Sequence, residues 1–329
     1  MPILYQPGQH IDHYTIIRQL SVGTSSRVYM AKDTRTEQQV VLKFPIDDLL
    51  GGADSYKSYL REKEIGILLD HPYIQHHLYQ DEQRETDYLV MEYLEGRVLR
   101  IMLHEDGVDS LSVPQALRLI IHVCEALVYA HEHGVIHRDM KPENIIVVDS
   151  DDARIIDFGI ALLTTKQHTR WQIFPAPLIG TPNYMAPELF WGKRGTVQTD
   201  IYAVGVILYE LLCGQIPFER KGEFTYMNPQ MAYDPPSILS VKPDLSPALA
   251  TIVMRTIRRD PQKRYAQMQN LLYDLQHLDE VIPVEYSPDP PQTGGKYRQF
   301  IALGLVTLLI LLLMISFGFL AQFAHSVPR

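Results

Sequence analysis

Cysteine is almost missing from this sequence: Cys124 and Cys213 are the only two in 329 residues. Each lies in an apolar, helix-like stretch with no partner nearby in sequence. That excludes a disulfide-stapled scaffold and reads as two buried free thiols in a reducing compartment. No long basic run is present either, and the net charge is −9. No nucleic-acid partner is expected, because the electrostatic footprint for one is missing. Residues 1–9 hold no basic cluster and no apolar core, so no signal peptide is expected. There is no internal repeat and no heptad run. Charged residues make up only 21% of the chain and hydrophobic ones 46%. That balance excludes general disorder and suits one large domain, or two lobes plus an extra segment.

Charge is also missing locally, at the far end. Residues 300–321 are 22 positions without a charged side chain, mostly Leu, Ile, Val, Phe, Ala and Gly. At about 1.5 Å per residue they span roughly 33 Å, enough for a bilayer core. A core helix of a globular domain is usually shorter and amphipathic. The expectation is therefore a transmembrane helix over 299–323, followed by a short outer tail, 324–329. Lys296 and Arg298 flank its N-terminal side, which places the preceding chain in the cytoplasm. Residues 281–298 contain Pro283, Pro288, Pro290, Pro291, Gly294 and Gly295 and read as a semi-extended juxtamembrane linker. Its 18 residues reach at most about 60 Å. The C-terminal helix thus implies the lipid bilayer as a partner and single-pass anchoring to the cell membrane.

Between a lead-in over 1–10 and this linker, the pattern changes character. Strands are expected at 14–17, 28–31, 39–44 and 88–93, with one helix at 59–69. Helices then dominate, at 113–133, 198–213, 247–258 and 266–278. Strands first and helices later give an α+β reading with two lobes. The small sheet-rich lobe covers 11–94 and the larger helical lobe 95–280.

The densest motif is His137-Arg138-Asp139-Met140-Lys141-Pro142-Glu143-Asn144. It follows a long helix and precedes two short strands, 145–148 and 154–156. Asp157-Phe158-Gly159 comes next, then Ala186-Pro187-Glu188. Asp and Asn singly are ordinary turn residues; only their order and spacing carry the signal. Lesser matches are Asp200-Ile201-Tyr202-Ala203-Val204-Gly205 and Asp260-Pro261-Gln262-Lys263-Arg264-Tyr265. On these motifs residues 11–280 resemble the eukaryotic-type serine/threonine protein kinases in their bacterial form.

The resemblance implies a two-lobed protein-kinase fold and an ATP-dependent protein serine/threonine kinase using Mg²⁺ or Mn²⁺. Phosphoryl transfer asks mainly for positioning and charge neutralisation. Asp157 and Asn144 would hold the metal ions, Asp139 would take the proton of the attacking hydroxyl, and Lys141 would touch the γ-phosphate. Lysine at that position implies Ser/Thr acceptors in protein substrates. Lys43, in Val40-Val41-Leu42-Lys43, would bind the α/β-phosphates and needs a carboxylate beside it. Glu62 is preferred over Glu64, because two positions turn a helix by about 200°. The phosphate-covering loop would be Ser21-Val22-Gly23-Thr24-Ser25-Ser26-Arg27-Val28, where only the middle glycine of the family pattern survives. Gly23 would let backbone N–H groups approach phosphate, while serine for glycine implies weaker nucleotide affinity. Val28 and Val41 would cover the adenine, with Met91 at the gatekeeper position and Ile146 as the floor. Glu92 and Leu94 would offer it backbone groups.

Control and architecture follow from the same resemblance. Arg138 would pair with a phosphorylated residue of the segment 157–188. Thr164, Thr165 and Thr169 are the candidates, while Thr181 in Gly180-Thr181-Pro182 would hold the substrate-side loop. A phosphate adds about −1.5 to −2 charges, enough to order a loop on arginine. Autophosphorylation in trans implies self-association. Glu188 and Arg264 would form a bracing ion pair, and Asp200 would fix the catalytic loop. The histidines at 76–77 and at 131 and 133 read as surface or packing residues. The alternative reading is a pseudokinase, a nucleotide-binding scaffold of the same fold, suggested by the serine-substituted loop. A small-molecule phosphotransferase is disfavoured by Ala186-Pro187-Glu188.

Overall fold

A computed structural model of the chain describes residues 5–23, 26–46, 52–78, 84, 86–105, 111–148, 152–164, 182–218 and 233–290. Thr24, Ser25, Thr165, Thr169, Thr181, the expected membrane helix and the tail lie outside the described residues, as does the linker beyond 290.

The small lobe is one antiparallel sheet of β1 (His10–Ile11), β2 (Tyr14–Val22), β3 (Ser26–Asp33), β4 (Gln39–Pro45) and β5 (Leu89–Glu92), in that order. Side chains alternate across a strand, and β4 uses both faces. Val40, Leu42 and Phe44 join Tyr14, Tyr29 and Tyr88 in the core of the outer face. Val41 faces the other way with Tyr59, Leu89 and Met91. Lys43 shares that inner face and pairs across the sheet with Val28 and Leu89. The helix α1 (Gly52–Leu68) supplies Tyr59 to this layer. It begins seven residues before the expected start at 59.

The lead-in is built into this lobe from Tyr5 onward. The Tyr5 ring packs on Phe44 and Tyr29, with centroids 4.9 and 5.7 Å away. The Gly8 N–H donates to the Ile16 carbonyl and the Ile16 N–H to the Gln9 carbonyl.

The large lobe begins with β6 (Gly96–Val98), α2 (Leu99–Glu105) and α3 (Val113–Glu132). The short strands β7 (Val135–Ile136), β8 (Ile145–Val148), β9 (Ala153–Ile155) and β10 (Leu162–Leu163) follow. Then come α4 (Pro187–Phe190), α5 (Val197–Cys213), α6 (Pro247–Thr256) and α7 (Met268–Gln276). The start of α3 is written in Ser112-Val113-Pro114-Gln115: Ser112 and Gln115 form a reciprocal capping box, a device worth about 1 kcal/mol. Among the described residues, α3 alone is long and apolar enough to cross a membrane. It is a core helix, with Leu119, Ile120, Val123 and Leu127 buried.

The axis of the lobe is α5, buried from Thr199 to Leu212. It ends at Gly214, whose φ of 76° is the left-handed conformation that glycine adopts freely. Gly205 lets α6 approach: a Cβ there would stand 2.0 Å from Thr256 Oγ1.

After α7 the chain runs back over the large lobe. The first residues of the expected linker are docked there. Val284 N–H donates to Thr251 Oγ1 at 3.0 Å, and the Tyr286 hydroxyl donates to the Pro235 carbonyl at 2.7 Å. The Arg258 guanidinium covers the Tyr286 ring at 4.4 Å.

Candidate active site

Between the sheet and the large lobe lies a cleft of about 960 Å³. Its roof is Val22, Gly23, Ser26, Val28 and Val41, with Ser21 at the edge; its floor is Ile146; Met91 and Leu94 close the back. The Gly23 N–H donates to the Ser26 carbonyl at 2.8 Å. A Cβ on Gly23 would meet nothing closer than 3.4 Å, so the turn itself does not demand glycine. What the glycine leaves open is space over the cleft, where a phosphate would need to approach the backbone.

Lys43 is the hub. Its Nζ lies 2.7 Å from Glu62 Oε1 and 2.9 Å from Asp157 Oδ1. Helix α1 presents Glu62 to it, buried; Glu64, two positions on, does not meet it. Burial works against the lysine's charge, but Asp157 and then Glu62 outweigh it and hold the ammonium above its ordinary value. Asp157 is likewise pushed up by burial, yet the nearby ammonium holds its carboxyl well below the usual range. One cation cannot fully serve two anions. Burial raises Glu62 to about 7, against the pull of Lys43.

Asp157 has φ 65°, an uncommon conformation for a non-glycine residue. Its backbone turn sends the carboxylate into the cleft and Phe158 into the core, where the ring lies 4.7 Å from that of His137. The Gly159 N–H donates back to Asp157 Oδ1 at 3.1 Å.

Asp139 lies across from this group. Lys141 Nζ is 2.7 Å from its Oδ2. Asn144 Nδ2 donates to the Asp139 carbonyl at 2.8 Å and to Oδ2 at 3.2 Å. The amide nitrogen is thereby committed to Asp139, which leaves the amide oxygen as the atom to offer a cation. The Ile156 N–H donates to the Asn144 carbonyl at 3.0 Å, tying the loop to the chain between β9 and Asp157. An aspartate oxygen and an amide oxygen beside a lysine make a hard-oxygen donor set that suits Mg²⁺ or Mn²⁺ bridging phosphates.

The loop backbone is fixed from beneath. Asp200, fully buried in α5, accepts from the His137 N–H at 2.9 Å and the Arg138 N–H at 2.8 Å. His131 Nε2 lies 2.8 Å from the same carboxylate. His131 therefore orients a loop anchor, a role that composition alone did not distinguish from packing. Arg138 takes φ 66°, and Gly195 keeps its place beside it; a Cβ there would lie 3.0 Å from Arg138 Cδ. Glu188 and Arg264 make a buried two-pronged pair, both contacts at 2.8 Å.

The Arg138 guanidinium donates to the Ile160 carbonyl at 2.9 Å through Nε and again through Nη2. Burial, then the nearby Arg61 and, opposed by Asp200, Arg194, lower it to about 10. Sequence reasoning missed Arg61 and Arg194, which converge with Arg138 from α1 and from the turn before α5. Arg61 directly precedes Glu62, so the signal was a charged neighbour of a named residue. Thr164 is exposed, and its hydroxyl donates to the Gly134 carbonyl at 3.0 Å.

Glu92 does not line the cleft. Its N–H donates to the His76 carbonyl, and its own carbonyl accepts from Gln75 Nε2 at 2.9 Å. Its carboxylate takes the His76 N–H at 2.8 Å. Pairing of β5 with the segment before it takes up the Glu92 N–H and one acceptor position of its carbonyl. Gln75, which lines the cleft, was not anticipated.

The family description "Protein kinase domain" matches residues 14–275. The chain is 32% identical over 291 residues to serine/threonine-protein kinase PknB of Mycolicibacterium smegmatis, covering 86% of this chain and 45% of that protein. It is 29% identical to serine/threonine-protein kinase PrkC of Bacillus subtilis, covering 82% and 41%. The chain thus spans somewhat less than half the length of these relatives. A crystal structure of the Mycobacterium tuberculosis PknI kinase domain superposes with a TM-score of 0.62 at 22% identity, covering 84% of this chain and all of that one. That likeness speaks for the two-lobed fold alone. The profile match over most of the chain carries the assignment: the chain belongs to the protein kinase family, alongside bacterial serine/threonine kinases of the eukaryotic type.

Proposed function

We propose that the chain transfers the γ-phosphate of ATP to serine and threonine hydroxyls of protein substrates. The observation that carries this reading is the Lys43 ammonium, held at once by Glu62 of the small lobe and Asp157 of the large one. The same cleft holds Asp139, Lys141 and Asn144 on its opposite wall.

In this reading Lys43 binds the α- and β-phosphates, and Glu62 keeps it aimed. Asp139 orients the acceptor hydroxyl and takes its proton; its carboxylate is steadied by the Asn144 amide. Lys141, now on Asp139, is within reach of the transferred phosphoryl group. Asp157 and the Asn144 oxygen would hold Mg²⁺ or Mn²⁺, which would supply neutralisation of the phosphate charge. Val28, Val41, Met91, Leu94 and Ile146 form the apolar slot for adenine. A scaffold without turnover would have no use for Asp139 and Asn144 set beside the lysine pair.

The full chain in detergent, given labelled ATP with Mg²⁺ or Mn²⁺, should label itself or a general protein substrate. Asp139→Asn and Lys43→Ala should not. Nucleotide binding by the parent with no transfer to any substrate would sink the proposal and leave the scaffold.

Two finer readings accompany it. Autophosphorylation between neighbouring chains would place a phosphate on Thr164, Thr165 or Thr169, near Arg138. The guanidinium groups of Arg61, Arg138 and Arg194 give that anion its attraction. Intact-mass measurement finding no phosphate in 164–181 of active enzyme would refute it. Residues 300–321 would anchor the chain, with the kinase on the cytoplasmic side. Release of the full chain from membranes by alkaline carbonate would refute that.

A further inference from the structure

Two carboxylates beside the catalytic loop are already spent on a cation of the chain's own. Arg100, the second residue of α2, donates through Nε to Glu143 Oε1 at 2.9 Å and through Nη1 to Glu210 Oε1 at 2.8 Å. Its Nη2 donates to the Tyr184 hydroxyl, which in turn donates to Glu210 Oε2. The guanidinium also stands 5.5 Å from the centre of the Tyr184 ring.

The partners come from three separate elements. Glu143 immediately precedes Asn144 and lines the same cleft as Asp139 and Lys141. Tyr184 lies two residues before Ala186-Pro187-Glu188, and Glu210 belongs to α5. A cradle of two carboxylates and an aromatic face, fitted to one planar fork, is a guanidinium site by its chemistry.

The occupant is incompletely matched to the cradle. Glu210 has both oxygens engaged, one by Arg100 and one by Tyr184. Among the described residues, Glu143 Oε2 is buried with no hydrogen-bond partner. A buried acceptor left unpaired is a standing cost, and here two carboxylates share one guanidinium. Arg100 itself is about one third exposed, with a side-chain accessibility of 31%, so the occupant reaches solvent, and its partner Glu143 lines the cleft. A peptide whose hydroxyl meets Asp139 must lay its flanking residues along this wall, since each extended residue advances the chain by only about 3.3–3.6 Å.

We propose that Arg100 is a specificity-determining residue. It fills in cis a guanidinium subsite beside the catalytic loop, so the enzyme takes acceptor sequences without a flanking arginine. Its removal opens that subsite to an arginine of the substrate. The proposal rests on the protein-kinase reading and deepens it.

The test uses the full chain in detergent and matched peptides with a central threonine, an arginine being scanned through each flanking position. For the parent, no arginine position should raise kcat/KM or peptide affinity by as much as about tenfold. For Arg100→Ala, at least one position should gain about tenfold or more, and Glu210→Gln added to that variant should cancel the gain. A parent that already favours arginine tenfold overturns the proposal, and this arm does not depend on the variant folding. An Arg100→Ala variant with no gain at any position also overturns it. A third measurement needs no turnover: millimolar methylguanidinium should raise the Tm of Arg100→Ala and not that of the parent. Failure of that rescue removes the subsite. Rescue and peptide binding with no labelling of any peptide would instead strike the kinase reading and leave the subsite standing.

Discussion

The imidazole of His77 occupies the space that a side chain at Gly66 would need. A Cβ built on Gly66 would stand 2.2 Å from both Cγ and Nδ1 of that ring. Gly66 is one helical turn beyond Glu62, so the two share a face of α1. The contact therefore sets how closely the helix lies against the segment after it, at the point where Glu62 reaches Lys43. Glycine inside a helix costs about 1 kcal/mol relative to alanine. Close approach of His77 is the local reason for it here.

Gly66→Ala should push α1 away and lower both Tm and kcat/KM, the overpacking itself costing about 1–3 kcal/mol. His77→Ala in the same chain returns the space. The double variant should recover a large part of both losses, read by thermal denaturation and steady-state kinetics. Additive losses in the double variant would mean that this contact does not position the helix.

The same ring gives a pH dependence with a definite sign. Burial, and then the Lys43 ammonium, push His77 down to about 4 from an ordinary 6.5, against the pull of Asp157. As pH falls from 6.5 toward 4, the unfolded chain binds this proton and the folded chain does not, so stability is lost. Glu62 works in the opposite direction. Raised to about 7 from 4.5, it holds a proton in the folded chain between those values that the unfolded chain has released. Its share of stability is present at low pH and is lost as pH rises through 7. Denaturant titrations at about pH 5 and 7.5 separate the two. His77→Gln should shift the balance toward higher stability at the acid value than the parent shows, and Glu62→Gln should shift it the other way.

Such pairs mark the limit of what the sequence discloses. The convergence of Lys43, Asp139, Asn144 and Asp157 on one cleft was legible because it depends on short, fixed spacings around strands and turns. Glu62 could be separated from Glu64 because a helix turns by a known angle per residue. The small lobe could be read from the strand-like runs at 14–17, 28–31, 39–44 and 88–93 that precede the helices, although the start of α1 at Gly52 was not, since Gly-Gly-Ala-Asp-Ser looks like a turn. Gln75 on the Glu92 carbonyl, Arg194 near Arg138 and Arg100 between Glu143 and Glu210 were illegible for another reason. Each is a pairing of distant residues of common types, and nothing in their local sequence distinguishes them from solvated side chains. Tyr286 was hidden likewise, in a proline-rich stretch whose composition suggested a free tether.

The brace of the large lobe offers a stability test. Glu188 meets Arg264 through both oxygens and also accepts from Thr199 Oγ1 at 3.0 Å. Arg264 spends its remaining donors on the carbonyls of Gln198, Arg258 and Arg259. Glu188→Ala would leave a fully buried guanidinium without its counter-charge, a loss of about 3–5 kcal/mol. Arg264→Lys should not preserve the brace, because an ammonium cannot supply the planar fork. Chemical denaturation reads both; a loss below about 1 kcal/mol for Glu188→Ala would show the pair to be dispensable.

The docked segment after α7 makes a last prediction. Arg258 is the keystone: its Nη1 donates to Asp234 Oδ2 at 2.9 Å and to the Ser287 carbonyl at 2.7 Å, while its plane covers the Tyr286 ring. The Tyr286 hydroxyl adds the bond to the Pro235 carbonyl. Tyr286→Phe should cost about 1 kcal/mol, the worth of one hydrogen bond, and leave the segment in place. Tyr286→Ala removes the ring as well. It should raise amide exchange at 284, whose N–H is held by Thr251, while kcat/KM on a soluble peptide stays unchanged, because no docked residue lines the catalytic cleft. Unchanged exchange in Tyr286→Ala would assign the docking to the backbone bonds at Thr251 and Arg258. A fall in kcat/KM would instead mean that the segment acts on the catalytic lobe through Pro235 and Asp234.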